Sequence, residues 1–441
     1  MSPTQVFLLM FGLLMVLVVT GFPLAFCIGG VGLIVGFIAM GPTMFNLMYT
    51  RAYGALTDYT MLAVPLFIFM GVMVEKSGVA AGLFNTLHLL MGRVKGSMAM
   101  VTILTGAIIA ATIGVFSASI VMLGMIALPA MLKADYDKQL ACGSVIAGGC
   151  LGILIPPSIM LVLYGPMAGL SVGRLFMGAF GAGIGLTVLY IVYIAVRSLL
   201  QPGFAPSPNA EELAVPWKVK IRLMFTTLIP PVFLILAVLG SIFFGVAAPT
   251  EAAAVGALAS MVMAAAYRKL NRPIMAEAMT TTLKVSAFII MLVIGASIFT
   301  GTFLTLGGGE VVKDFVMAAP FGRWGALAII MFTIFVLGMF LDWIGILLIL
   351  VPLVTPIAAE LGFQPIWFAM MICVNLQMAY MTPPFAPAIF FLRGVVPADS
   401  GIDTALIIRS VMPMVGLVIL FLIICIAIPE IITFLPDHMI R

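Results

Sequence analysis

Apolar runs set the pattern of this chain, and polar residues occur mainly as short interruptions between them. Runs at 7–20 and 24–40 are separated by Gly21-Phe22-Pro23, and a third covers 61–74. Residues 77–93 mix polar and apolar positions (Asn85, His88, Arg93), as an arm lying in the membrane interface does. Two longer apolar stretches follow at 98–132 and 141–170, each interrupted internally, and then an ordinary span at 175–196. The second half supplies spans at 225–244, 252–267 and 285–304, an arm at 307–323, two more interrupted stretches and a last span at 411–434. The pattern predicts an all-α protein.

The interruptions are informative. The apolar runs flanking Phe340-Leu341-Asp342-Trp343 are each too short for a comfortable crossing, since a spanning helix needs about 20 apolar residues. The stretch 368–392 is long enough, but Thr382-Pro383-Pro384 cuts it. Two successive prolines remove two backbone donors and bar the usual helical bonds. Backbone opened at membrane depth survives only where protein buries it or where it lines a wet cavity. The reading is a re-entrant hairpin with its tip at 338–343, facing a helix broken at 382–385.

The first half carries the same arrangement. Gly114-Val115-Phe116-Ser117-Ala118-Ser119 matches the tip at Gly338-Met339-Phe340, and Gly148-Gly149-Cys150-Leu151-Gly152 leads into Ile155-Pro156-Pro157-Ser158. Gly92-Arg93 matches Gly322-Arg323. The three matches are offset by 224, 227 and 230 residues in the same order, which points to an internal duplication. It divides the chain into a first repeat (1–200), a proline-rich polar linker with Glu211-Glu212 and an interfacial segment (201–222), and a second repeat (223–441).

Composition fixes the class. Hydrophobic residues make up 64% of the 441, charged residues 8%, and the mean hydropathy is +1.30, where a soluble domain carries about 25% charged residues. The chain reads as a polytopic membrane protein with the lipid bilayer as its solvent, and its charge of +4 gives no reason to expect nucleic acid. The five cysteines lie in apolar runs without metal-ligand spacing, and the first apolar run lacks the basic start of a cleavable signal. Counting each hairpin as returning to its own side puts Arg51, Arg174, Lys313, Arg323 and Arg441 on one face and the remaining fifteen basic residues on the other. The richer face is expected to be cytoplasmic, with both termini outside. The repeats are then inverted, as in secondary transporters whose sites lie near the midplane.

Few side chains within these runs carry chemistry. Ser117, Ser119 and Ser158, and Thr382 in the second half, are hydroxyls at helix breaks. An isolated hydroxyl in a membrane helix usually bonds to the preceding turn or a neighbouring helix. Beside a double proline, freed carbonyls near Gly114, Gly152, Gly338 and Ala379 make oxygen ligation of a small hard cation the stronger reading. Asp342 is the one carboxylate at a tip, and burying it costs about 2.5–3.5 kcal/mol on insertion scales. It reads as a substrate-site, cation-linked or proton-linked group, or as a cap on a half-helix. Pro156, Pro157, Pro383 and Pro384 mark the substrate region. Glu251 reads as an ordinary helix start. Gly307-Gly308-Gly309 is no phosphate loop, because no Gly-Lys-Ser/Thr follows, and no nucleophile-elbow or zincin motif occurs. An enzyme is not expected, and no cofactor.

The order GVFSAS, GGCLGILIPPS, PTEAAAVGA (249–257), GMFLD and TPPF resembles the large membrane subunit of tripartite ATP-independent periplasmic (TRAP) transporters over essentially the whole chain. The resemblance implies a cation-coupled importer of organic acids of the bacterial inner membrane, with an elevator movement of a transport domain. It also implies two partners: a small membrane subunit and a periplasmic substrate-binding protein. Sodium would be held by Ser117, Ser119, Gly152 and Ser158 at one site and by Gly338, Ala379, Thr382 and Phe385 at the other. Members often have glycine where this chain has Ala379, whose carbonyl still serves. The alternative is a stand-alone ion-coupled carboxylate carrier that needs no binding protein.

Overall fold

The computed structural model describes residues 1–92, 94–201, 203–206 and 215–439. Arg93, the acidic pair Glu211-Glu212 of the linker and Arg441 lie outside the described residues, so the Gly92-Arg93 match and the placement of Arg441 are not seen. The described residues form helices and connecting turns, with no strand among them. Among the described residues eight helices are long and apolar enough to cross a membrane, nine if one broken pair bent by 41° is taken as a span.

The first half runs α1 (Pro3–Val19), α2 (Leu24–Met40), α3 (Thr43–Thr57), α4 (Ala63–Lys76), α5 (Val79–Met91), α6 (Ser97–Ile113), α7 (Phe116–Lys133), α8 (Lys138–Leu154), α9 (Ile159–Ala168) and α10 (Val172–Leu200). The second runs α11 (Trp217–Phe243), α12 (Pro249–Ala266), α13 (Arg272–Thr305), α14 (Gly308–Met317), α15 (Gly322–Gly338), α16 (Trp343–Glu360), α17 (Pro365–Met381), α18 (Pro387–Arg393), α19 (Thr404–Ala427) and α20 (Glu430–Asp437). Several starts are written locally. Ser2 and Gln5 form a reciprocal capping box at α1 (2.9 and 3.2 Å), and Asp137 caps α8 by accepting from Leu140 N at 2.9 Å. Glu251, at the start of α12, accepts from Ala248 N at 2.8 Å. Each satisfies an amide that the helix leaves without an internal partner.

The expected arms are α5 and α14, the hairpins are α6–α7 and α15–α16, and the broken helices are α8–α9 and α17–α18. The helix α3 was not expected. It buries only Met44, so its sequence has no apolar stripe to betray it. The segment around Trp217, expected at the surface, is the first turn of α11. At 34 residues, α13 is about 51 Å long, well beyond the ~30 Å hydrocarbon core. Its polar first turns extend past the apolar run, where Glu277 pairs with Lys76 of α4 at 2.7 Å.

Contacts between the halves are reciprocal. α2 packs along α13, and its counterpart α12 packs along α4, the counterpart of α13. Likewise α16 meets α9 while α7 meets α18, and α19 meets α8 while α10 meets α17. Small residues permit these approaches. A Cβ on Gly32 of α2 would stand 2.7 Å from the Cα of Phe299 in α13.

Candidate functional site

At each hairpin tip a glycine meets the broken helix. In the first half α6 ends at Gly114, whose left-handed φ of 66° suits glycine. A Cβ there would lie 3.2 Å from the carbonyl oxygen of Pro157. Val115 is extended and α7 starts at Phe116. One turn on, Ser119 lies beside Gly152, where a Cβ would be 3.4 Å from the Ser119 Oγ and from the Phe116 Cα. The break itself covers residues 155–158, with a cis Pro156-Pro157 bond. Ser158 sits at the start of α9, and its hydroxyl donates back to the Ile153 carbonyl at 2.5 Å. Ser119 and Ser158 are fully buried, and so are both prolines. Ser117 is half-buried, and two helical residues turn it about 200° around the axis from Ser119. The structure thus sets Ser119 against Gly152, ties Ser158 to the carbonyl of Ile153, the residue after Gly152, and turns Ser117 to another side of α7.

In the second half Gly338 ends α15 against α17, where a Cβ would stand only 2.5 Å from the Ala379 methyl. Thr382 ends α17 and donates its hydroxyl to the Met378 carbonyl at 2.7 Å. The Pro383-Pro384 bond is also cis, and Ala386 enters α18 at a φ of 39°. Thr382 and Pro383 are half-buried, whereas Pro384 and Phe385 are exposed. Asp342 stands half-buried at the N-cap position of α16, where the positive end of a helix favours a carboxylate.

A hydroxyl that donates to a carbonyl keeps its lone pairs. Ser119, which donates to the Val115 carbonyl at 3.2 Å, Ser158 and Thr382 therefore remain free to face a cation. Carbonyls of unwound backbone and the C-terminal ends of half-helices are oxygen ligands that need no formal charge. Among the described residues no group of three or more His, Cys, Asp or Glu side chains gathers in one place.

The two sites share a wall that sequence reading missed. The Phe116 ring, at the first tip, stacks on Tyr380 just before the second break, at 5.2 Å and 17°. It also meets Phe391 of α18 edge-on at 5.7 Å. Two amides in α17 were missed as well. Asn375 is fully buried and donates to the Met331 carbonyl of α15 at 2.8 Å. Gln377 is fully buried with neither amide atom bonded to a described protein atom. Both stand out as amides inside the apolar run MICVNLQMAY, which is the signal that finds them.

A family model described as "Tripartite ATP-independent periplasmic transporter, DctM component" matches residues 11–431. The C4-dicarboxylate TRAP transporter large permease protein DctM of Pseudomonas aeruginosa is 29% identical over 91% of both chains. The isethionate TRAP transporter permease protein DctMQ of Oleidesulfovibrio alaskensis is 28% identical over 96% of this chain and 65% of its own. The crystal structure of the Alcanivorax borkumensis YdaH transporter shares the fold, with a TM-score of 0.64 at 17% identity over 87% of this chain and 88% of that one.

Proposed function

The chain belongs to the DctM-component family of tripartite ATP-independent periplasmic transporters, and from that premise we propose that it is the large inner-membrane permease of a sodium-coupled importer of an organic acid. The observation that carries the reading is the pairing of two glycine hairpin tips with two broken helices, each pair presenting hydroxyl and carbonyl oxygens. Relatives named for C4-dicarboxylate and isethionate support a small organic anion as cargo. Asp342 then acts on the substrate or its proton, and the positive ends of half-helices hold the anion. The longer DctMQ relative supports a small membrane subunit as partner, and a periplasmic binding protein delivers the cargo. The hairpins and broken helices move as an elevator against the remaining helices. With the basic face in the cytoplasm, α6–α7 enters from the cytoplasm and α15–α16 from outside.

Sodium dependence tests the ion sites. Ser119→Ala and Thr382→Ala should each raise the sodium concentration for half-maximal uptake several-fold, as loss of one neutral oxygen contact costs on the order of 1 kcal/mol. Asp342→Asn should leave that midpoint in place and alter substrate or proton dependence. Unchanged sodium curves in both hydroxyl variants would remove these side chains from the ion sites.

Reconstitution tests the partners. The chain alone in liposomes should not take up free substrate, and uptake should appear on adding the small subunit and loaded binding protein. Robust uptake by the chain alone identifies a stand-alone carrier instead. Orientation is read by impermeant thiol labelling of intact cells. In a cysteine-free background Lys313→Cys should react and Lys218→Cys should not, and labelling of both defeats the inverted arrangement.

A further inference from the structure

Away from the tips, one open groove combines an apolar floor with a cation. It has a volume of about 380 Å³ and runs along α10 past Leu189, Val192, Val196 and Leu200, with Leu417 of α19 as its opposite wall. Tyr193, Arg197 and Gln201 form its polar end. The α10 residues recur three and four positions apart, so they share one helix face. From Leu189 to Gln201 the face is about 18 Å long, close to half of the ~30 Å hydrocarbon core. That is the depth of one leaflet.

The guanidinium of Arg197 is held in place by neutral groups. Its Nη1 donates to the Tyr193 hydroxyl at 2.6 Å and its Nε to the Gln201 side-chain oxygen at 3.2 Å. Its carbon lies 4.2 Å from the centre of the Phe204 ring. Arginine has five N–H donors, so these bonds leave most of its fork available. It has no ion pair with a carboxylate among the described residues. Gly96, next in sequence to the exposed Lys95, abuts the same end of α10 at Ser198, where a Cβ would stand 2.3 Å from Oγ. A planar cation with free donors fits phosphate oxygens, and the floor below it fits an alkyl chain.

We propose that the α10–α19 groove seats one anionic phospholipid, with its phosphate on Arg197 and an acyl chain along Leu189, Val192 and Val196. This site is separate from the hairpin tips and does not depend on what the transporter carries. The test is lipid retention by the purified full-length chain in detergent, read by native mass spectrometry, with phosphatidylglycerol and phosphatidylcholine added in turn. Wild type should retain phosphatidylglycerol in preference, and Arg197→Gln should cut that preference about fivefold, the equivalent of about 1 kcal/mol per cation at a membrane surface. Val192→Trp, which fills the floor, should reduce retention of both lipids. Arg197→Lys keeps the charge and should hold an intermediate preference, which separates the lipid effect from misfolding. Glu211→Gln with Glu212→Gln should leave the preference intact. A gain in that variant would make the linker acids the partner of Arg197. Inorganic phosphate should not displace the lipid. Displacement by phosphate would reduce the site to a simple anion contact, and equal retention by wild type and Arg197→Gln would overturn the proposal.

Discussion

Gly106→Val should leave little folded protein. In α6, Gly106 crosses α8 at Gly148 so closely that a Cβ would stand 2.6 Å from the Gly148 carbonyl carbon and oxygen. The obstruction is backbone, so no side chain can swing aside. Gly149, next along α8, makes room for α7, since a Cβ there would lie 2.9 Å from the Ile120 nitrogen. Both arms of the first hairpin therefore rest on consecutive glycines of one half-helix. Forcing them apart should cost at least the ~1–3 kcal/mol typical of overpacking, and more for a branched side chain against main chain. The expected readout is a large fall in the thermal midpoint in detergent and in monodisperse yield, with Gly106→Ala in between. Gly12→Ala, in α1 with nothing within 4 Å of the added carbon, is the control and should stay near wild type or slightly above it. If Gly106→Val melts where wild type does, the close crossing is wrong.

Transport should be most sensitive at the second tip. Gly338→Ala puts a methyl only 2.5 Å from the Ala379 methyl, closer than two methyl groups can stand. The tip must withdraw from α17, and with it the carbonyls that end α15. A penalty of about 1–3 kcal/mol should lower uptake by roughly fivefold or more while the protein is still made and assembled. Ala379→Gly removes the obstructing methyl. The double variant should therefore recover most of the lost uptake, a coupling that independent effects do not produce. A double variant no better than Gly338→Ala would show that this contact is not what closes the tip. The pair also explains why Ala379 is compatible with this chain: its methyl fills the space that a glycine at 338 leaves.

The elements that break a rule were the legible ones. Double prolines in an apolar run and glycines between runs too short to span located both tips and both breaks, because each defies ordinary helix chemistry at membrane depth. Helix ends were less legible. Hydropathy alone placed a span at 285–304, whereas the helix begins at Arg272, since polar turns outside the membrane carry no apolar signal. The stacking of Phe116 on Tyr380 joins residues from opposite halves of the sequence. No local pattern encodes it, because it depends on how the repeats fold onto one another. For Ser117 and Ser119 the spacing itself held the answer: neighbours two apart on a helix do not share a face.

Matched positions in the two halves do not have matched surroundings. Phe116 is 6% exposed and Phe340 is 53% exposed, and Ser158 is sealed where Phe385 is half open. One half is shut while the other stands ajar. Let the halves trade postures and the open side of the molecule changes with them, yet each half takes up an arrangement its twin already displays. On the carrier reading proposed above, the outward and inward forms would be built from the same two arrangements, and their free energies would lie close together. A gap that small would be reversed by modest differences in how cargo and ions bind the two forms.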